Sequence, residues 1–273
     1  MGKLKVALQA YTVRDAAEQD LKGTLQQVKA MGYDTVELAG MYNMPPADFR
    51  ALLDEIGLTA LSAHVPLPEF GDDPDTCVKR YKEAGCTYLA IPWLPPELCP
   101  DGADFGKTLE AIKKIGKACK DNGMMLLYHN HDFEFRKMPD GMYGLDYLFQ
   151  QFPADLLQTE IDTCWVKFAG VDPAAYIRQY AGRSPVVHLK DFVVEGKGGT
   201  PYELIGSDAQ AKKAEGKFEF RPVGYGCQDF PSVIKAAEES GAEWIVVEQD
   251  ASVGRPSLEA AKMSREYLKK LGY

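Results

Sequence analysis

Short apolar runs alternate with amphipathic segments along the whole chain. Val6 to Tyr11 reads as a strand, and Leu21 to Met31 then repeats apolar residues at helical spacing before stopping at Gly32. The couplet recurs as Thr35 to Leu38 with a proline- and Asp-opened helix to Gly57, and as Thr59 to Val65 with Pro74 to Ala84. It recurs again as Tyr88 to Trp93 with Asp104 to Asn122, and as Met124 to His131 with Leu145 to Gln151. The sixth strand falls in TEIDTCW (Thr159 to Trp165) and the seventh in VVHLKD (Val186 to Asp191). Asp172 and Pro173, an N-cap and a first-turn proline, open the helix between them. Phe230 to Glu239, Trp244 to Glu248 and Ser257 to Leu271 supply a helix, the eighth strand and a closing helix.

Strand, helix, strand crossovers place the strands parallel in one sheet. Eight of them in 273 residues predict an α/β chain folded as a single (β/α)8 TIM barrel, with residues 1–273 forming one domain. A doubly wound open sheet needs a glycine-rich phosphate turn after the first strand, and QAYTVRD has none. A polar, Gly- and Lys-rich insertion from Glu195 to Lys217, after strand seven, is too long for an ordinary connection. It suits either a lid or a homo-oligomer contact.

Composition narrows the partners. A net charge of −9 disfavours nucleic acid, whose readers carry basic surfaces. No apolar run reaches the length of a membrane span, and the N-terminus enters a strand without a signal-like apolar region, so a cytoplasmic location is expected. The six cysteines form no C-x-x-C pair and read as reduced, buried or half-buried thiols.

The chemistry concentrates at the strand ends. All four histidines, His64, His129, His131 and His188, fall at predicted C-terminal ends, where barrel active sites are built. Glu37, Glu160, Asp162 and Glu248 join them, and imidazole with carboxylate suits a divalent ion. A structural network in which Glu160 and Glu248 pair with Lys190 and Arg221 is the alternative. Glu160 and Asp162 share a strand face, as do His188 and Lys190. Lys190 either stabilises an enolate oxygen or neutralises the carboxylates. Arg221 and Arg14 either hold a substrate oxygen or pair at the surface. Trp165 is either a wall for the apolar face of a sugar or a packing residue. Glu37 reads as a hydrogen-bonding residue of the barrel interior, and Gly224 to Gly226 as a turn before Asp229 caps the next helix.

IDTCW, HLKD and VVEQD, in that order on strands six, seven and eight, resemble the xylose isomerase-like barrel superfamily across nearly the whole chain. The resemblance implies one divalent ion (Mn, Zn, Mg or Co) held by Asp162, His188 and Glu248, and a sugar, keto-sugar or cyclitol substrate. The strand-five ligand, usually Glu, matches His129 in YHNHDFEF, so the fourth ligand is either His129 or Glu160. This His-rich strand is similar to the inosose dehydratase-like branch, which implies His131 as general base, with Glu248 and His129 as further catalytic candidates. His64, Trp165, Lys190 and Arg221 are the candidates for substrate binding. The activity implied is isomerisation or epimerisation through an enediolate, with dehydration or keto-glycoside cleavage at the same site as the alternative. A non-catalytic sugar-binding subunit is the reading of another class. The nuclease branch of the superfamily needs further metal ligands where this chain has Trp165 and the stretch Phe218 to Phe220, which disfavours DNA-repair chemistry.

Overall fold

Eight parallel strands close on themselves in the order β1, β10, β7, β6, β5, β4, β3, β2. They are β1 (Lys5–Gln9), β2 (Thr35–Leu38), β3 (Thr59–His64), β4 (Tyr88–Ile91), β5 (Met125–His129), β6 (Gln158–Asp162), β7 (Val186–Leu189) and β10 (Trp244–Val247). β8 (Asp191–Gly196) and β9 (Gly216–Arg221) form a separate antiparallel ribbon inserted after β7. The computed structural model describes residues 3–196 and 216–273. The (β/α)8 class expected from the alternation is the class observed.

The helices outside the barrel are α1 (Arg14–Ala17), α2 (Leu21–Met31), α3 (Pro46–Ile56), α4 (Pro74–Glu83), α5 (Phe105–Asp121), α6 (Gly144–Gln150), α7 (Thr163–Phe168), α8 (Pro173–Gln179), α9 (Phe230–Glu239) and α10 (Ser257–Lys270). Their apolar faces and the outward strand residues, among them Val36, Leu53, Ile112 and Ile161, make the main core. Asp172 caps α8 by accepting the Ala175 N–H, and Asp229 caps α9 through Ser232. α3 differs from expectation: its N-cap is Pro45, with no side-chain cap, and Asp48 lies in the first turn.

Inside the barrel the two-residue period of the strands sorts side chains into layers. Ala7, Leu61, Tyr88, Ala90, Leu127, Val186 and Val246 form a small apolar cluster toward the N-terminal ends. Two residues further along the same strands stand Gln9, His129, His188 and Glu248. On β3 a bulge opposite Val36 and Glu37 skips Leu61, so Ser62 also turns inward and donates to Glu37 Oε1 at 2.6 Å. The packed lower layer carries the polar upper layer.

Several strands end earlier than their apolar runs. Gln9 ends β1 because its side chain accepts the Tyr11 N–H and opens a 3₁₀ turn over Ala10–Val13. β4 stops at Ile91, before Pro92, and β5 stops at His129, leaving Asn130 and His131 beyond the ladder. α7 starts directly at the end of β6, a helix the sequence pattern does not reveal.

The insertion expected at Glu195 to Lys217 lies mostly outside the described residues. Its ends belong to the ribbon, where Glu195 pairs with Lys217 in register. The ribbon packs Phe192, Phe218 and Phe220 with Cys164 and Trp165 into a third apolar cluster. At its base the buried Asp191 carboxylate accepts four backbone N–H groups, from Phe192, Gly224, Gly226 and Gln228, at 2.8–3.2 Å. A side chain at Gly226 would collide with Asp191 and the Phe192 carbonyl, so the close approach requires glycine. All six cysteines are free, and Cys227 alone among them is exposed. Among the described residues no helix is long and apolar enough to cross a membrane. Asp191→Ala strips four donors of their acceptor and should destabilise the protein by about 2–4 kcal/mol in urea unfolding.

Candidate metal centre and proton-transfer site

β6 and α7 together set the first carboxylate. Asp162 is the last residue of the strand and the N-cap of the helix: its Oδ1 accepts Cys164 N–H at 2.8 Å and Trp165 N–H at 3.2 Å. Oδ2 is thereby turned toward the barrel axis, 3.0 Å from Lys190 Nζ and 3.6 Å from His129 Nε2. Asn130 locks the neighbouring backbone, accepting the Asp162 N–H at 3.0 Å.

The other groups arrive from facing strands. Glu160 Oε2 lies 2.8 Å from His64 Nε2 and 3.2 Å from His129 Nδ1. His188 Nδ1 lies 2.9 Å from Glu248 Oε2, and His188 Nε2 lies 2.7 Å from Glu37 Oε2, without hydrogen-bond alignment. Lys190 reaches Asp162, Glu248 and Asp250 at 2.9–3.1 Å. His64 and His188 stack with ring centroids 5.3 Å apart. Every one of these groups except His64 is buried.

Five carboxylates, Glu37, Glu160, Asp162, Glu248 and Asp250, thus face one permanent cation, Lys190. The imidazoles absorb part of the imbalance. Burial works against charge on His188, yet the Glu160 and Glu37 carboxylates outweigh it and raise the imidazole well above its usual range. His64 is raised for the same reason, chiefly by Glu37 and Glu160 against burial. For Lys190 too burial opposes charge, and Asp162, Asp250 and Glu248 overcome it. Burial raises Glu37, helped by Glu160, and pushes Asp250 up to about 6 despite Lys190.

His129 and His131 behave differently. Burial brings His129 down to about 4 and takes His131 well below the usual histidine range, with His129 and Lys190 adding to the effect. The His131 ring lies between Phe133 (centroids 5.3 Å, 11°) and Trp165 (5.0 Å, 33°), and its buried Nδ1 has no hydrogen-bond partner. It is a neutral imidazole at the edge of a charged cluster.

The cluster fits a divalent cation on its own chemistry. One nitrogen or oxygen each from His129, Asp162, His188 and Glu248 lie within 4.8 Å of one another, as do atoms of His64, His129, Glu160 and His188. Glu160 Oε1, Asp162 Oδ2 and His188 Nε2 are buried without hydrogen-bond partners, although buried polar groups are normally satisfied. His129 belongs to both groups, whereas Glu160 joins only the second.

The remaining sequence candidates fall into different places. Trp165 is fully buried in the ribbon cluster and stands behind His131, with Lys190 Nζ 5.3 Å from its ring. Arg221 pairs with Glu219 at 3.0 Å on the ribbon and touches none of the cluster's carboxylates among the described residues. The alternative pairing of Glu160 or Glu248 with Arg221 is therefore not formed; Glu248 takes Lys190 and Glu160 takes His64 and His129. Arg14 stacks on Tyr11 and donates to its carbonyl. Glu37 accepts from Gln9 and Ser62, as an interior hydrogen-bonding residue would, and also faces His188 and His64.

Two acidic residues escaped the sequence reading. Asp250 follows Glu248 by two residues in VVEQD, the spacing that puts side chains on one strand face. Glu134, in YHNHDFEF, is buried and accepts from Tyr128 Oη at 2.6 Å and His131 N–H at 2.8 Å. Burial pushes its carboxyl up to about 8 despite these bonds. A carboxyl raised from 4.5 to about 8 binds a proton in the folded protein that the unfolded chain releases. The associated stability is full below about 4.5 and lost as pH rises through about 8. Denaturation of the wild type across that window should show a fall that Glu134→Gln flattens.

Comparison with known proteins agrees with the barrel fold. Residues 25–271 match the family described as xylose isomerase-like TIM barrel. An inosose dehydratase from Geobacillus kaustophilus is 25% identical over 275 residues, covering 90% of this chain and 86% of the relative. One from Clostridium beijerinckii is 30% identical over 163 residues, covering 59% and 52% of the two chains. A sugar phosphate isomerase/epimerase from Parabacteroides distasonis superposes with a TM-score of 0.78 at 22% identity, over 98% of this chain and 94% of that one. The chain belongs to the xylose isomerase-like TIM barrel family.

Proposed function

We propose that this chain is a divalent-metal-dependent enzyme that removes the proton next to a ketone in a cyclitol or sugar and then expels the neighbouring hydroxyl. The relatives named inosose dehydratase point to a keto-cyclitol as the substrate class. Asp162, His188, Glu248 and His129 would hold the ion, with Glu160 orienting His129 and His64. When bound, Mn, Zn, Mg or Co supplies Lewis-acid polarisation of the carbonyl.

The observation that carries the reading is the contrast between His131 and the carboxylates. His131 is neutral, free of hydrogen bonds at Nδ1, and held between two aromatic rings. Burial keeps it unprotonated and so available as a base, a weaker one than a free imidazole. Breaking the C–H bond gives the proton to His131 and its electron pair to the enolate. Lys190, pinned by three carboxylates, keeps its charge and stabilises the negative charge that develops. The β C–O bond then breaks, and the leaving hydroxide takes the proton that His131 carries, releasing water. Trp165 and Phe133 keep bulk water from the base.

Isomerisation or epimerisation is the second reading, and the position of Glu248 favours it. Glu248 follows β10, across the barrel from β5, where a second base would stand. Burial raises its affinity for a proton, but Lys190 and His188 prevail and hold it well below the usual carboxylate range. Glu248 Oε2 is committed to Lys190 and His188, whereas His131 Nδ1 is free of hydrogen bonds, an arrangement that favours one proton carrier and elimination.

Incubating the Mn-loaded protein with an inosose in D2O separates the outcomes. Dehydration gives a product lighter by one water; epimerisation or isomerisation gives isomers with solvent deuterium bound to carbon; the absence of both reactions would defeat the proposal. His131→Ala should lower turnover by about 10²-fold or more with metal content unchanged. Asp162→Ala and His188→Ala should lose the ion in elemental analysis, and retention in both would overturn the ligand assignment.

A further inference from the structure

The buried Nδ1 of His131 makes no hydrogen bond to an orienting group, the support that buried functional histidines usually have. Its ring orientation therefore comes from the aromatic stack and from the backbone that carries it. That backbone lies beyond the end of β5, where no strand ladder holds it. The chain turns there into a 3₁₀ turn, Phe133–Phe135, which folds Glu134 back beneath His131. Glu134 is 1% exposed, and burying a carboxyl without recompense is costly. Each of its oxygens is committed: Oε2 accepts the His131 N–H at 2.8 Å, and Oε1 lies 2.6 Å from the Tyr128 hydroxyl, accepting from it when Glu134 is ionised and donating to it when Glu134 is protonated. Tyr128 itself precedes the candidate ligand His129 and packs edge-on against Phe149 in the core. On the other side Asn130 ties the same segment to Asp162, with its Oδ1 on the Asp162 N–H.

We infer that Glu134 is a positioning residue for His131: by gripping the His131 amide and the Tyr128 hydroxyl together, it fixes the catalytic imidazole relative to the metal-binding strand. The inference rests on the reading of His131 as the base. The grip also explains the local pattern YHNHDFEF, in which the carboxylate three residues after His131 returns under it through one 3₁₀ turn. A misplacement of about 1 Å in a reacting group can lower turnover about 10²-fold, so an anchor remote from the substrate has a large effect on rate.

The test uses the Mn-loaded full chain with an inosose, with kcat expressed per bound metal ion, and hydrogen exchange of the His131 amide followed by NMR. Glu134→Ala should lower kcat by about 10²-fold, leave KM within about threefold and metal content intact, and speed exchange of the His131 amide at least about tenfold. Glu134→Gln keeps a carbonyl for the His131 N–H and turns its NH2 toward the Tyr128 oxygen, so it should restore both protection and most of kcat. Wild-type kcat per metal in Glu134→Ala would overturn the inference. So would equal impairment of the two variants with a matching loss of thermal stability, or unchanged amide protection in both. If the wild type fails to turn over the inosose, the dehydratase reading falls by itself. Amide exchange then still decides the anchor: protection lost in the Ala variant and kept in the Gln variant supports it, and protection unaffected in both refutes it.

Discussion

A buried excess of negative charge governs the upper half of this barrel. Glu37, Glu160, Asp162, Glu248 and Asp250 converge from β2, β6 and the end of β10, and among the described residues Lys190 alone supplies permanent positive charge to them. Isolated ionised carboxylates in such surroundings are prohibitively expensive, so the interior must gather protons or a cation. The raised His188 and His64 show the first response, and the cluster of His129, Asp162, His188 and Glu248 offers a place for the second.

The strand period makes that concentration tolerable. Three of the strands that bear an acidic or imidazole group near the C-terminal end place an apolar residue two positions earlier: Leu127 before His129, Val186 before His188, Val246 before Glu248. The apolar layer closes the barrel from below, and its packing holds the polar layer at fixed separations. The β8–β9 ribbon adds a wall on one side. Its Phe218 and Phe220 pack on Trp165, which in turn contacts the His131 ring, so the ribbon's order bears directly on the environment of the proposed base.

The site is asymmetric. The strand-five position is His129, with its proton affinity lowered by burial, and His131 stands beyond it on a turn rather than on the ladder. A neutral imidazole thus stands on one side and a carboxylate held by Lys190 and His188 on the other. Relatives named as dehydratases and solved structures named as isomerase/epimerase share the barrel, so the fold by itself does not select between the two activities.

Alternation and strand-end chemistry were legible from residue order alone. Apolar runs with a two-residue period, helices stopped by Gly32 and Gly57, and four histidines at strand ends require only local rules, because strand and helix periods are set by the backbone itself. The strand limits were less legible: side-chain caps at Gln9 and Asp162 end β1 and β6 in ways that apolar pattern does not record. Arg221 and Lys190 look alike in sequence, yet the barrel aims Lys190 at three carboxylates while the ribbon carries Arg221 to Glu219. Glu134, its grip on His131, and the union of Glu37 with His188 came from the tertiary structure alone. Residue order determines which groups stand at a strand's end, since that follows from a local period; closure of the sheet decides which of them share a dry space, and there charge, desolvation and proton affinity are set by neighbours distant along the chain.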